Sequence, residues 1–312
     1  MAAHDMPAAE IEVTEQLVRQ LLAEQQPGLA DRPLTLVANG WDNVIFRLGD
    51  DLVVRLPRRD AAAELVLNEH RWLPELESTL PIPISAPVHL GAPAAGYRWH
   101  WTIGPWFDGD VAADVTLDDV RSDAERLGAF LAALHVTAPS DAPVNPYRGH
   151  PVAELRGRFD ERVAQLGSLV DRVALVRRFG ELLDVDAFDG WSPWIHGDLH
   201  SANVIVADGA ISAVIDWGDI TAGDPACDFA VGWMLFDDAD RIAFRRAAGA
   251  RTPLDDSMWQ RAEAWALHFA VMYLAHSADS PRFERMGRSL LMALGIDHPD
   301  SPTGYGGGGR YP

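Results

Sequence analysis

The segment Asn203–Trp217, NVIVADGAISAVIDW, sets Asp208-Gly209 between two alternating apolar runs, the pattern of a hairpin closed by a two-residue turn. A hairpin brings its two ends together. Asn203 and Asp216 therefore become neighbours in space although the whole hairpin separates them in sequence. Just upstream, WIHGDLHSAN places Asp198 on the loop that enters the hairpin. One carboxylate and one amide carbonyl are hard oxygen donors of the kind Mg²⁺ takes together with phosphates. The other carboxylate is left to accept a proton.

Around this segment the chain changes character once. Leu17, Val18, Leu21 and Leu22 make one face of a short helix, and LTLVANG, NVIFRLG and DLVVRLP follow as strand-like runs divided by Gly and Asp turn signals. AAAELVLNEHRWLPEL returns to helical spacing, PIPISAP ends it, and two further strands are expected near 86–90 and 97–104. After PWFDGD the pattern becomes helical. Thr116 and Asp119 form a capping-box signal ahead of a stripe through Leu117, Val120, Leu127, Leu131 and Leu134. Amphipathic stretches follow over about 152–184, 239–249, 256–277 and 281–294, the last opened by Ser280 and Pro281. The tail GYGGGGRYP, about 303–312, is low in complexity and reads as disordered.

Composition excludes several chemistries. The chain has no lysine, so all 26 basic residues are arginine. Schiff-base catalysis and the lysine-bearing phosphate loop are both ruled out. A formal charge of -20 argues against nucleic acid as a partner. No apolar run reaches the roughly 18 residues of a membrane span, and MAAHDMPAAEIEV lacks the basic and apolar regions of a signal peptide. A soluble cytoplasmic protein is expected, with no membrane partner. The lone Cys227, in PACDFAVGW, cannot form an internal disulfide and reads as a buried, inert thiol.

HGDLHSAN followed by VIDWGD resembles the catalytic core of the aminoglycoside phosphotransferase family, the antibiotic-kinase branch of the protein-kinase-like fold. The spacing Asp198-x-x-x-x-Asn203 matches the kinase loop H-R-D-x-x-x-x-N, and IDWG stands where kinases have D-F-G. The resemblance covers nearly the whole chain. It implies an α+β, two-lobed fold with a small antiparallel-sheet N-lobe over 1–105 and a larger, mainly helical C-lobe over 106–312. It implies transfer of the γ-phosphoryl group of ATP or GTP, with Mg²⁺, to a hydroxyl of a small molecule. By it, Asp198 accepts the hydroxyl proton or orients the hydroxyl, and Asn203 and Asp216 hold metal. Arg55, in LVVRLPRR, stands where kinases carry lysine and addresses the phosphates, a role guanidinium chemistry allows. Glu69 matches the helix glutamate that holds this cation, with Glu64 as a competitor. Gly40 and Asn43 mark the nucleotide-covering loop, and the backbone from Thr102 to Trp106 meets the base.

The acceptor is less constrained. Residues 107–312 carry 32 acidic and 18 basic side chains against 14 and 8 before them. That tilt favours a polycation of the aminoglycoside type, although a macrolide, a sugar or an amino alcohol fits the same motifs, and RLPRR is similar to the macrolide kinases. His200, Glu263, Trp265 and His268 are acceptor-site candidates by position, while most of the 11 tryptophans should be core. Asp228 is expected to brace the catalytic loop and His196 to bond nearby backbone. Asp224 reads as a helix cap, and Asp219, Arg58 and Arg59 as solvated. Three rival readings remain. A non-catalytic nucleotide-binding module would leave the intact Asp198, Asn203 and Asp216 idle. A nucleotide hydrolase would lack an acceptor. A metal-dependent hydrolase built on His196-x-Asp198-x-His200 leaves Asn203 and Asp216 without a role.

Overall fold

The computed structural model describes residues 7–188, 190–251 and 254–296; the tail over about 303–312 lies outside the described residues. Helix α1 (Glu15–Gln25) is capped by the Thr14 hydroxyl and buries Val18, Leu21 and Leu22 against a sheet. Strands β1 (Leu34–Asn39), β2 (Asn43–Leu48) and β3 (Leu52–Pro57) form the expected meander, and helix α2 (Asp60–Glu77) follows. β4 (His89–Gly91) and β5 (Trp101–Pro105) complete an antiparallel sheet in the order β1-β2-β3-β5-β4. These last two strands start later than their apolar runs suggest. Ala94 and Tyr97 exchange backbone hydrogen bonds of 3.1 and 2.8 Å across a tight turn, which removes that stretch from the ladder.

Helix α2 joins two cores. Its Ala63 packs with the sheet cluster, whereas Leu73 and Leu76 enter the larger cluster of the helical region. The chain then passes β6 (Asp110–Val111) into α3 (Val120–Leu134). This helix is capped by Asp119, whose carboxylate accepts from the amide of Ser122 at 3.1 Å. Thr116 is therefore not the cap; the helix starts at Val120, so Asp119 is the residue placed to reach the first free amides. The stretch 152–184 is also not continuous. It holds α4 (Arg156–Leu166) and α5 (Arg172–Leu182), broken where Gly167 takes a positive φ of 58°.

After β7 (Trp194–Ile195) come β8 (Val204–Ala207) and β9 (Ala210–Val214), the hairpin read from the sequence. Asp208 and Gly209 both take positive φ, 51° and 75°, as a type I′ turn requires. A Cβ on Gly209 would also lie 2.1 Å from an Asp118 oxygen, so this glycine is doubly required. β6 pairs with β8 on its other side, and Val214 donates to Pro83 O at 2.9 Å, which ties the hairpin to the segment leaving α2. β10 (Thr221–Ala222) pairs with β7. Short helices α6 (Ala226–Phe229) and α7 (Val231–Leu235) lead to α8 (Asp238–Ala248), α9 (Asp256–Ala275) and α10 (Pro281–Ala293), the last capped by Ser280 as expected. Among the described residues no helix is long and apolar enough to cross a membrane.

Candidate active site

The hairpin register sets Val204 opposite Val214, and Ile215 donates to Asn203 O at 2.9 Å, so Asn203 and Asp216 leave the two strands side by side. Asn203 is buried, and its Nδ2 donates to Asp198 O at 3.0 Å. That bond fixes the amide orientation and leaves the Oδ1 lone pairs available to a cation. Asp216 has a φ of 62°, a left-handed conformation that costs a non-glycine residue about 1–2 kcal/mol. This backbone turns its carboxylate outward, 58% exposed, to within 3.3 Å of Arg55 Nη2. Arg55 in turn donates from Nη1 to Glu69 Oε2 at 2.5 Å, with the glutamate 1% exposed. Glu64 is exposed on another face of α2, so the choice between the two glutamates falls to Glu69. Burial works against the Arg55 charge, but Glu69 and Asp216 outweigh it and raise its pKa.

Asp198 has a charged neighbour that the motif does not announce. Arg148 Nη2 lies 2.7 Å from its Oδ1, and His200 Nε2 lies 3.5 Å from its Oδ2. Burial alone would push the carboxyl up; Arg148 and then His200 reverse this and hold it below the usual carboxylate range. Asp219 lies 3.7 Å from Arg148 Nε and accepts from Asn145 Nδ2 at 2.6 Å. Asp219 is thus tied into the site by the 143–150 loop and not merely solvated, although its side chain stays 30% exposed. Arg148 and Asn145 were missed by the motif reading. They sit some fifty residues before Asp198, and the only local signal is Gly149.

The loop is held from below. Asp228 accepts from the amides of His196 and Gly197 at 2.8 and 2.9 Å and meets His135 Nε2 at 3.1 Å. His196 Nε2 donates to Ile215 O at 3.1 Å while its Nδ1 accepts from the Asp198 amide at 3.3 Å. His200 Nδ1 accepts from Ala202 N at 3.1 Å. Both rings of His196-x-Asp198-x-His200 are therefore engaged with backbone. Among the described residues no group of three His, Cys, Asp or Glu side chains converges as a metal site, and nothing supports the metal-hydrolase reading. Cys227 is buried and donates to Gly197 O at 3.0 Å, with burial raising its pKa well above the ordinary thiol value.

The remaining candidates divide. Gly40 N–H donates to Asn43 O at 2.9 Å, and Gly40 O accepts from Arg58 at 2.9 Å, closing the β1–β2 connection. Arg58 is accordingly buried, and Arg59 pairs with Asp42, so neither is the solvated arginine expected. Thr102 lies in the middle of the sheet, opposite Arg55 on β3 and Leu90 on β4, and offers no free edge to a base. The Trp106 amide is already given to Asp51 O at 2.8 Å. Trp265 is 0% exposed, and a wholly buried indole presents no surface to an acceptor. Glu263 is taken up by Arg178. Asp224 Oδ1 accepts from Ala226 N at 3.1 Å, although the cap residue of α6 is Pro225, and its other oxygen forms a buried pair with Arg261 at 2.8 Å.

His268 is buried, accepts from Arg162 at 3.0 Å through Nε2, and has its pKa driven well below the ordinary value by burial first and by Arg162 next. A histidine with a depressed folded-state pKa contributes stability that is present above its unfolded pKa of about 6.5 and lost as pH falls below it. The unfolding free energy from urea titrations should therefore decline between pH 7.5 and 5, by up to about 1.4 kcal/mol per pH unit. His268→Gln, whose carbonyl can accept from Arg162, should flatten that slope.

A sheet lobe and a helical region with these side chains between them define the kinase-like fold. Residues 33–265 match the model of the phosphotransferase enzyme family, and the chain belongs to that family; it is a small-molecule kinase. It is 28% identical over 273 residues to the uncharacterized protein YcbJ of Bacillus subtilis strain 168, covering 78% of this chain and 82% of that one. Among solved structures it is similar to the GDP complex of aminoglycoside 2'-phosphotransferase-IIIa, with a TM-score of 0.67, 19% identity, and 91% of this chain and 99% of that one covered. It is similar also to the macrolide 2'-phosphotransferase MphH from Brachybacterium faecium, with a TM-score of 0.57, 23% identity, and 89% and 98% covered.

Proposed function

We propose that this kinase transfers the γ-phosphoryl group of ATP or GTP to a hydroxyl of a small molecule, between a lobe over 1–105 and a lobe over 106–312. The observation that carries this reading is the meeting of Asp198, Asn203 and Asp216 with the Arg55–Glu69 pair. Asp198 orients the attacking hydroxyl and accepts its proton. Its depressed pKa keeps it ionised across pH 5–8, so the rate should show no acid limb from this residue there. Arg55, fixed by Glu69, addresses the nucleotide phosphates with two parallel donors. Asn203 Oδ1 and the exposed Asp216 carboxylate are hard oxygen donors that fit Mg²⁺. Bound there, Mg²⁺ would neutralise charge on the phosphate oxygens. Asp228 and His196 hold the loop that carries Asp198. Gly40 and Asn43 shape the turn over the nucleotide.

Phosphoryl transfer is largely alignment and charge neutralisation, which these few side chains can supply without lysine. Solved structures similar to this chain hold GDP, ADP or ATP, and some hold kanamycin, gentamicin or streptomycin. They support a nucleotide donor and a hydroxylated acceptor of modest size. We place the enzyme in the cytoplasm, where that donor is found; an antibiotic acceptor would make it a resistance enzyme. Incubation with γ-labelled ATP or GTP, Mg²⁺ and a panel of hydroxylated antibiotics, sugars and amino alcohols tests the reading. Label on an acceptor supports it. Label only in inorganic phosphate indicates a nucleotide hydrolase, and nucleotide binding without turnover a non-catalytic module.

A further inference from the structure

A polycationic acceptor requires uncompensated carboxylates at the reacting end of the cleft, and the overall acidity of residues 107–312 does not provide them there. The carboxylates at that end, Asp198 and Asp219, lie 2.7 and 3.7 Å from a single guanidinium, that of Arg148. Beyond it Arg162 donates to the neutral His268 and forms no ion pair among the described residues, Glu161 acting on it only at longer range. Burial and then the nearby charges of Arg148 and Arg158 weaken its hold on its proton. The cationic charge beside Asp198 is therefore supplied by arginine.

Arg148 is built into this position. The Asn145 Oδ1 accepts from the amides of Tyr147 and Arg148 at 2.8 and 3.1 Å, while its Nδ2 binds Asp219. The loop carrying them lies backbone to backbone on the segment around Gly223, and the Arg148 side chain packs on the catalytic loop at Gly197. A Cβ on Gly223 would stand 2.5 Å from Gly149 O, and one on Gly197 would stand 2.5 Å from Asp219 O and 3.3 Å from Arg148 Cβ. The guanidinium lies over the Phe269 ring, 5.4 Å from its centre. With its backbone locked and one face covered, Arg148 has little freedom to leave Asp198.

We infer that Arg148 is a specificity-determining residue: it occupies as a fixed counter-cation the side of Asp198 to which a polycation would bring an ammonium group, so the enzyme takes neutral or anionic hydroxyl compounds and rejects polycations. The inference rests on reading Asp198 as the residue that meets the acceptor. Like charges brought within about 4 Å at a partly buried site repel strongly enough to lower affinity by at least about tenfold.

Calorimetric titration of kanamycin into the full-length protein at 0.1 M salt tests it. Arg148→Gln should bind kanamycin at least tenfold more tightly than the wild type. Arg148→Lys, which keeps the charge, should behave as the wild type. Adding Asp198→Asn to Arg148→Gln should abolish the gain, an outcome that a merely structural role for Arg148 does not produce. Equal binding by wild type and Arg148→Gln, or no detectable binding by either, overturns the inference. If Arg148→Gln does not fold, Arg162→Gln carries the comparison: a gain of about threefold supports the inference and an unchanged affinity overturns it. The measurement needs no turnover. A failed transfer assay with a positive titration removes the phosphotransfer reading alone, and transfer to hydroxylated acceptors with a negative titration removes only the role of Arg148.

Discussion

Asp198→Ala lowers the turnover of phosphoryl transfer by about 10²–10⁴-fold, the usual contribution of a positioned general base, while nucleotide affinity stays within a few-fold. Two features of the site lead to this expectation. Among the described residues Asp198 touches neither Arg55 nor Asp216 directly; it joins the residues proposed to meet the nucleotide through the Asn203 bond to its backbone carbonyl. Removing the side chain therefore leaves the proposed metal and phosphate groups in place. The substitution does strand a cation, because among carboxylates Arg148 then keeps the 3.7 Å contact with Asp219, besides its contact with the Phe269 ring. Asp198→Asn keeps the volume and an acceptor for Arg148, so it separates lost chemistry from lost packing. Steady-state kinetics with calorimetric nucleotide titrations check both variants. A variant that retains full turnover takes Asp198 out of its proposed role.

Asp228→Ala is expected to cost about 3–5 kcal/mol, since it leaves two buried amides and a buried imidazole without their acceptor. Asp228 is wholly buried and accepts from His196 N, Gly197 N and His135 Nε2. At about 2–4 °C per kcal/mol for a chain of this size, the melting temperature should fall by about 10 °C. Turnover should fall as well, because the two amides belong to the loop that carries Asp198. Asp228→Asn, which retains one carbonyl acceptor, should lose roughly half as much stability. Thermal melts and denaturant titrations measure this directly. A melting temperature within 2 °C of the wild type would show that the amides find other acceptors.

The hairpin illustrates how far local pattern reaches. Asp208-Gly209 demanded a tight turn, alternation assigned inward and outward faces, and the register then brought Asn203 to Asp216 with no help from distant residues. The choice between Glu64 and Glu69 was of another kind. Both sit on α2, and only the placement of that helix against β3 decides which one meets Arg55. The expected cap at Thr116 and the unbroken stretch over 152–184 failed for local reasons, since Asp119 outcompetes a neighbouring cap and Gly167 takes a conformation that ends a helix. The solvated reading of Asp219 and Arg58 failed for a tertiary reason: each is bound by residues distant in sequence, Asp219 by Asn145 and Arg58 by Gly40 O.

By itself the sequence determined the succession of sheet and helix, the cluster of Asp198, Asn203 and Asp216, and the need for arginine where kinases carry lysine. The first two follow from periodicity and turn chemistry, which act over a few residues, whereas the place of the arginine follows from the family resemblance together with the absence of lysine. Tertiary structure alone decided that the charge beside Asp198 is a guanidinium from a loop some fifty residues earlier, held there by close backbone approaches at Gly149, Gly197 and Gly223. Electrostatic fields depend on distance in space, and a net charge summed along the chain carries no information about which side chains end up within a few ångströms of the reacting group.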